Sequence, residues 1–266
     1  MPAIIVDAPR NATVRGVVTA DDRRPVRVGI SSCLIGQAVR YDGGHKRDRA
    51  LCAALRRFAE FVPVCPELEA GLGVPRPPMR LVREGERVRL IEIASGRDHT
   101  QRLARFTAAR VRALRALDLS GYVFKKGSPS CGVARVPLYR TGARRRRSGT
   151  GLFARGVREA FPDLPIAEEA ELGDPARRAH FAERVLGYAR VSALFRGRWT
   201  TADVAAFHAA HERQLRAHSR ARCRALARIA AGAAAAPRAE VRARYTAGFL
   251  AALARPVQKL RIREPR

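Results

Sequence analysis

The stretch Val26-Arg27-Val28-Gly29-Ile30-Ser31-Ser32-Cys33 decides how the rest of the chain is read. Apolar and polar residues alternate from Val26 to Ile30, the period of a β-strand, and the run stops on two serines and a cysteine. The pattern recurs twice. Phe61 to Val64 is a short apolar run that halts at Cys65-Pro66-Glu67, and Tyr122 to Phe124 leads into Gly127-Ser128-Pro129-Ser130-Cys131-Gly132. Between these runs, apolar spacing predicts a helix over 47–58, with Leu51, Leu55 and Phe58 on one face. A second helix is predicted over 100–117, with Leu103, Phe106, Val111, Leu114 and Leu117 inward. The Gly- and Pro-rich residues 71–79 read as loop, 87–93 as a strand, 152–160 as a helix, 164–167 as a strand and 175–195 as a helix. Strands alternating with such helices predict an α/β fold, a mostly parallel open sheet with helices on both faces.

Cys33, Cys65 and Cys131 lie 32 and 66 residues apart, which matches no local zinc-finger spacing. What they share is position, since each follows a predicted strand. In an open parallel sheet the carboxyl ends of the strands converge on one edge, where ligands bind. Strands neighbour each other at about 4.8 Å, so three thiols on three strand ends can meet. Gly127 and Gly132 allow close backbone approach, and Pro66 and Pro129 stiffen the turns. Three thiolates leave one position of a metal centre open for substrate, whereas four close it. Zinc, or a set of buried thiols with no ligand, fits the same spacing. Cys52 in mid-helix and Cys223 on an arginine-rich helix are expected to be non-ligands.

The chain holds 52 Lys+Arg against 24 Asp+Glu, a formal net charge of +28, and nearly all of the positive charge is arginine. Such an excess favours polyanionic partners through counterion release, although arginine and alanine enrichment also follows from codon bias. Arg144, Arg145, Arg146 and Arg147 form a run in a predicted loop beyond the third cysteine and are candidate phosphate contacts. An odd count of five cysteines argues against a secreted disulfide framework. No run of 18 apolar residues exists to span a membrane, and Ile4-Ile5-Val6 is too short for a signal-peptide core. A cytoplasmic location with no membrane partner is the expectation; oligomeric state is not legible.

Several motifs, in order, resemble a bacterial family of thiouracil desulfidases. They are Ile30-Ser31-Ser32-Cys33-Leu34 with Val39-Arg40-Tyr41-Asp42-Gly43-Gly44; Val64-Cys65-Pro66-Glu67 with Gly73-Val74-Pro75-Arg76-Pro77-Pro78; and Lys126-Gly127-Ser128-Pro129-Ser130-Cys131-Gly132-Val133. Gly149-Thr150-Gly151-Leu152-Phe153 and Leu164-Pro165-Ile166-Ala167-Glu168-Glu169 extend the likeness over about residues 26–196. The resemblance implies that Cys33, Cys65 and Cys131 hold one [4Fe–4S] cluster with a free iron. That iron would polarise the thiocarbonyl of a thiolated uracil for hydrolysis without net redox change. The implied reaction needs a carboxylate for proton transfer. Glu67 is the first candidate, Ser130 could orient water or the base with Ser128 as competitor, and Asp42 is a further candidate. The competing reading is a basic nucleic-acid-binding module with a structural zinc or other metal and no catalysis.

These features divide the chain into a loose extension over 1–24, an iron–sulfur desulfidase-like domain over 25–197 and a small all-α segment over 198–266. In the last, Thr200 or Thr201 caps a long helix predicted over 202–230. Pro237 opens another helix, with Val241, Tyr245, Phe249 and Leu253 on one stripe, and Pro256 ends it. Phe207-His208-Ala209-Ala210-His211-Glu212, with Leu215, Ala217, His218 and Ser219, resembles a helical domain fused to desulfidases of 4-thiouridine in tRNA. That likeness implies a thiolated tRNA as an alternative substrate to the free base. The family would continue with further helices, so the segment reads as truncated. The histidines lack zinc-protease spacing and are expected to pack or to face RNA.

Overall fold

The computed structural model describes residues 25–140 and 143–257, with the backbone alone for 143–147. The extension over 1–24 and the last nine residues lie outside the described residues. Four parallel strands form the central sheet: β1 (Val26–Ser31), β2 (Ala59–Val64), β5 (Leu119–Phe124) and β8 (Ile166–Glu168), in the order β2-β1-β5-β8. Every residue of β5 is buried, as expected of a strand covered on both faces. On one face α1 (Arg49–Arg56) and α5 (Pro175–Leu194) bring Leu51, Leu55, Phe181 and Val185 against Val28, Ile30 and Val123. On the other, α3 (Thr100–Arg115) and α4 (Leu152–Ala160) bring Val111, Leu114, Phe153 and Val157 against Tyr122 and Phe124. The alternation of Tyr122, Val123 and Phe124 between the two cores is the period of the strand made visible.

Gly29 shows why β1 reads Val-Arg-Val-Gly-Ile. A Cβ at this position would lie 2.2 Å from the Tyr122 ring, so only glycine lets that ring cross the neighbouring strand. Tyr122 then stacks on Phe124 with centroids 4.0 Å apart.

A second sheet was not expected. Residues 79–84, 136–140 and 143–149 form strands, giving β3 (Met79–Glu84), β4 (Arg87–Glu92), β6 (Val136–Arg140) and β7 (Ala143–Gly149) in the order β4-β3-β6-β7. Its β3–β6 pair is parallel and both outer pairs are antiparallel. Leu81, Leu90, Val136 and Leu138 bury against Leu103 of α3 and Leu152 of α4. Arginines mixed into these strands hide them in the sequence, because a charged run reads as loop. Arg144 to Arg147 are therefore corrected from loop to strand. Their backbone runs along β7, where Arg147 pairs with Leu138, and their side chains lie outside the described residues.

Beyond residue 198 the chain is helical: α6 (Thr201–His218), α7 (Arg220–Ala231) and α8 (Arg238–Leu253). The capping box of Thr200 and Asp203 opens α6 as expected. The single helix predicted over 202–230 is two. Ser219 adopts an extended backbone and its hydroxyl accepts from the Arg222 N–H at 3.3 Å, so it ends α6 and caps α7. Val241, Tyr245, Phe249 and Leu253 are all buried, in a core that also takes Val191 and Phe195 from the end of α5 and Trp199. His208 and His218 are buried in packing roles. His208 meets the Tyr245 hydroxyl at 3.1 Å, while His218 Nε2 lies 3.0 Å from the Glu183 carboxylate. Among the described residues no helix is long and apolar enough to cross a membrane.

Candidate functional site

The strand order reverses between β1 and β5, and such a switch point opens a crevice at the carboxyl ends of the strands. Cys33 follows β1 in a 3-10 turn over Ser32–Ile35, and Cys65 follows β2 as the N-cap of α2 (Pro66–Glu69). Cys131 follows β5 in a glycine-rich turn. Cys33 and Cys131 are buried, Cys65 is half-buried, and none is in a disulfide.

Burial raises the Cys33 thiol to about 11, with Cys65 the next contributor and Lys125 and Arg40 pulling the other way. Cys65 is also raised by burial. Cys131 is pushed furthest, by burial first, then by Glu67, then by the other two thiols, against a hydrogen bond with Ser31. Three thiols on three adjacent strands thus feel one another in a poorly hydrated crevice. A cationic centre would supply the countercharge their ionisation lacks. Among the described residues no three His, Cys, Asp or Glu side chains are grouped as ligands of a single metal ion. A cluster spreads its thiolates over separate irons, so this donor set of soft, free thiols suits an iron–sulfur group.

The turns that carry the thiols are tightly held. The Cys65 N–H donates to Glu69 at 2.8 Å. The Ser128 hydroxyl oxygen accepts the N–H groups of Ser130 and Cys131, each at 3.1 Å. Glu168, buried at the end of β8, accepts from Val133 N–H at 2.8 Å. Glu169 pairs with Lys125 and accepts the Lys126 N–H at 2.6 Å. Gly151 is required beside this turn, because a Cβ there would fall 2.5 Å from the Ser130 carbonyl.

Glu67 sits among these turns and is only 9% exposed. Its Oε2 takes two N–H groups of Arg76, from Nε at 2.9 Å and from Nη2. Its Oε1 faces the Ser128 hydroxyl at 3.4 Å. Arg76 is equally buried and also donates to the Val39 and Gly73 carbonyls at 3.1 and 2.9 Å. The Ser130 hydroxyl is fully buried and meets no hydrogen-bond partner. Asp42 is exposed and committed elsewhere, chelating Arg40 at 3.0 and 3.2 Å and accepting the Gly44 N–H at 3.1 Å. Those bonds, Arg40 first, hold its carboxyl below the usual range.

The structure therefore gathers the three cysteines, Glu67 and Ser128, and leaves Asp42 as a brace of its own turn. Arg76, Glu168 and Glu169 belong to the motifs recognised in the sequence but had no role assigned there, and Lys125 was not singled out. The signal was present for Arg76, a basic residue between prolines in the predicted loop. Cys52 points its thiol at the Leu34 carbonyl, 3.4 Å away, and Cys223 lies near the Glu212 carbonyl, so both are packing residues. A recess of about 480 Å³ between α7 and α8, lined by Ala225, Arg228, Ile229 and Arg244, contains none of the three thiols.

The family match falls on the part of the chain that carries this site. The protein YbbK of Bacillus subtilis (strain 168), itself uncharacterised, is 30% identical over 153 residues, which are 54% of this chain and 97% of that protein. Among solved structures, the [4Fe-4S]-dependent thiouracil desulfidase TudS is 29% identical, with 56% of this chain and 93% of that one covered and a TM-score of 0.46. The family model described as 2-thiouracil desulfurase matches residues 28–169, the span holding Cys33, Cys65, Glu67, Ser128 and Cys131, and the chain belongs to that family.

Proposed function

We propose that this protein is an iron–sulfur-dependent desulfidase that replaces the sulfur of a thiolated uracil with oxygen. The observation that carries the reading is the convergence of three free thiols on adjacent parallel strand ends, beside one buried carboxylate. Cys33, Cys65 and Cys131 would hold a [4Fe–4S] cluster, which when bound supplies a Lewis-acidic iron for the soft thiocarbonyl sulfur.

The reaction is a hydrolysis: water and the thiocarbonyl give the carbonyl and hydrogen sulfide, with no electrons gained or lost. Glu67 Oε1 takes a proton from the attacking water and returns it to the departing sulfur. Arg76 occupies Oε2, so Oε1 alone is presented to the reaction, and the Ser128 hydroxyl fixes it in place. Ser128 also holds the turn of Cys131, which couples the proton carrier to the third thiol. Ser130, buried beside Cys131, is left as a hydroxyl that can donate toward the bound group. The division at residue 197/198 makes α5 the shared wall between a catalytic domain and the helical segment. A free base and 4-thiouridine in tRNA carry the same thiocarbonyl; for the tRNA, Arg144 to Arg147 on β7 would supply phosphate contacts.

The test is purification without oxygen, followed by iron and acid-labile sulfide analysis and assays on 2-thiouracil and on 4-thiouridine tRNA. About four irons and four sulfides per chain are expected for a [4Fe–4S] centre, with release of sulfide from at least one substrate. Cys131→Ala should lose both cluster and turnover, and Cys52→Ala should keep both. Stoichiometric zinc with no turnover would reject the assignment in favour of a structural metal in a basic binding module.

A further inference from the structure

The turn Arg40-Tyr41-Asp42-Gly43-Gly44 follows Val39, whose carbonyl the Cys65 thiol approaches, and its construction goes beyond what holding a thiol requires. Gly43 has a positive φ of 74°, and paired bonds close the turn, Arg40 N–H to Gly44 carbonyl at 3.1 Å and Gly43 N–H to Arg40 carbonyl at 3.0 Å. Asp42 then clamps Arg40 and Gly44 from the side chain. Arg76 fastens the turn from below, donating its backbone N–H to the Tyr41 carbonyl at 2.9 Å and its guanidinium to the Val39 carbonyl. The Cys65 thiol approaches that same Val39 carbonyl at 3.7 Å. One buried arginine thereby ties the turn to Glu67 and lies against the second thiol's neighbour.

All this order supports a partly exposed aromatic ring with Arg40 over it. Tyr41 is 43% exposed, although its backbone is anchored on both sides. The Arg40 guanidinium lies over the ring, 5.3 Å from its centroid. Among the described residues the exposed large apolar side chains are Tyr41, Leu68, Ile93 and Val257. Leu68 follows Glu67 directly, so two of the four belong to the turns that carry Cys65 and flank Cys33. Single exposed apolar residues need no explanation; a rigid aromatic and an apolar neighbour at a catalytic edge do.

We infer that Tyr41 is a specificity-determining residue, a stacking platform for the planar pyrimidine ring whose thiocarbonyl is directed at the cysteine site. The Arg40–Asp42 clamp holds the platform in place, and a flat ring face accepts any heteroaromatic ring without reading its edge. The inference rests on the desulfidase reading and names the feature that selects a ring over an open-chain thiocarbonyl.

The test uses the cluster-loaded full chain and its Tyr41→Leu and Tyr41→Phe variants. Steady-state kinetics are measured with 2-thiouracil and with thioacetamide, and equilibrium binding with uracil, which needs no turnover. Tyr41→Leu should raise KM for 2-thiouracil and Kd for uracil about tenfold or more, the loss typical of a removed base stack. Its kcat and iron content should stay near wild type, Tyr41→Phe should match wild type, and kcat/KM for thioacetamide should not change. An unchanged KM in Tyr41→Leu, an equal loss on thioacetamide, or loss of iron would overturn the platform. If wild type turns over no thiocarbonyl yet binds uracil in a Tyr41-dependent way, the desulfidase reading falls and the platform stands. Absence of both turnover and uracil binding would reject the two together.

Discussion

Replacing Arg76 with methionine tests the central electrostatic arrangement. The guanidinium is 9% exposed and donates to Glu67 twice and to the carbonyls of Val39 and Gly73. Methionine fills similar volume but offers no donor. It leaves a carboxylate whose side chain is 12% exposed without a cation and strips two carbonyls of a partner. Breaking a buried pair by removing one member costs about 3–5 kcal/mol. The pair of carbonyls adds about 1 kcal/mol, because the Cys65 thiol still reaches Val39. We therefore expect Arg76→Met to cost about 5 kcal/mol in urea unfolding followed by circular dichroism, with an unchanged m-value. Removing the charge as well should relieve part of the penalty, so Glu67→Gln/Arg76→Met should be about 2 kcal/mol more stable than Arg76→Met alone. A cost below about 1 kcal/mol, or a double variant no more stable than the single one, would refute the claim that Glu67 is held as a buried, arginine-compensated carboxylate.

Other expectations follow from single contacts. Ser128→Ala removes the acceptor of the Ser130 and Cys131 N–H groups; it should cost about 1–2 kcal/mol and depress kcat while Cys52→Ala does not, and wild-type kcat would exclude Ser128 from the proton path. Gly29→Ala drives a Cβ into the Tyr122 ring and should cost about 1–3 kcal/mol by overpacking, read by the same unfolding assay. The Asp203 carboxyl is held below its usual range by the Thr200 N–H and then the Thr200 hydroxyl. Because its folded value is depressed, this contribution is full above about pH 3.9, the unfolded value, and is lost as pH falls through the folded one. Asp203→Asn should therefore flatten the acid limb of helical unfolding between about pH 5 and 2, and identical limbs in both proteins would contradict the capping box.

Much of the central sheet is legible because its signals are local. β1, β2 and β5 announce themselves by apolar runs, and each ends where a cysteine begins. The helices α1, α3, α4, α5 and α8 repeat their apolar residues at the helical period. The second sheet is not legible, since β3, β6 and β7 mix arginine into their strands and the β3–β6 pair that joins its two hairpins brings together segments dozens of residues apart. The break between α6 and α7 is nearly silent as well. Ser219 interrupts an alanine- and arginine-rich pattern that continues on both sides, and only its hydroxyl bond to Arg222 makes it a cap.

The site divides in the same way. Residue chemistry alone determined that Cys33, Cys65 and Cys131 are the unusual thiols and that Glu67 is the carboxylate nearest to one of them in sequence, because periodicity and spacing are properties of the chain. The tertiary structure decided which groups answer them. It paired Glu67 with Arg76, gave Ser128 both the Cys131 turn and the free carboxylate oxygen, turned Asp42 into a brace and left Tyr41 partly exposed under Arg40. The physical reason is that hydrogen bonds and ion pairs depend on distances of about 3 Å between atoms far apart in the chain, and packing alone sets those distances.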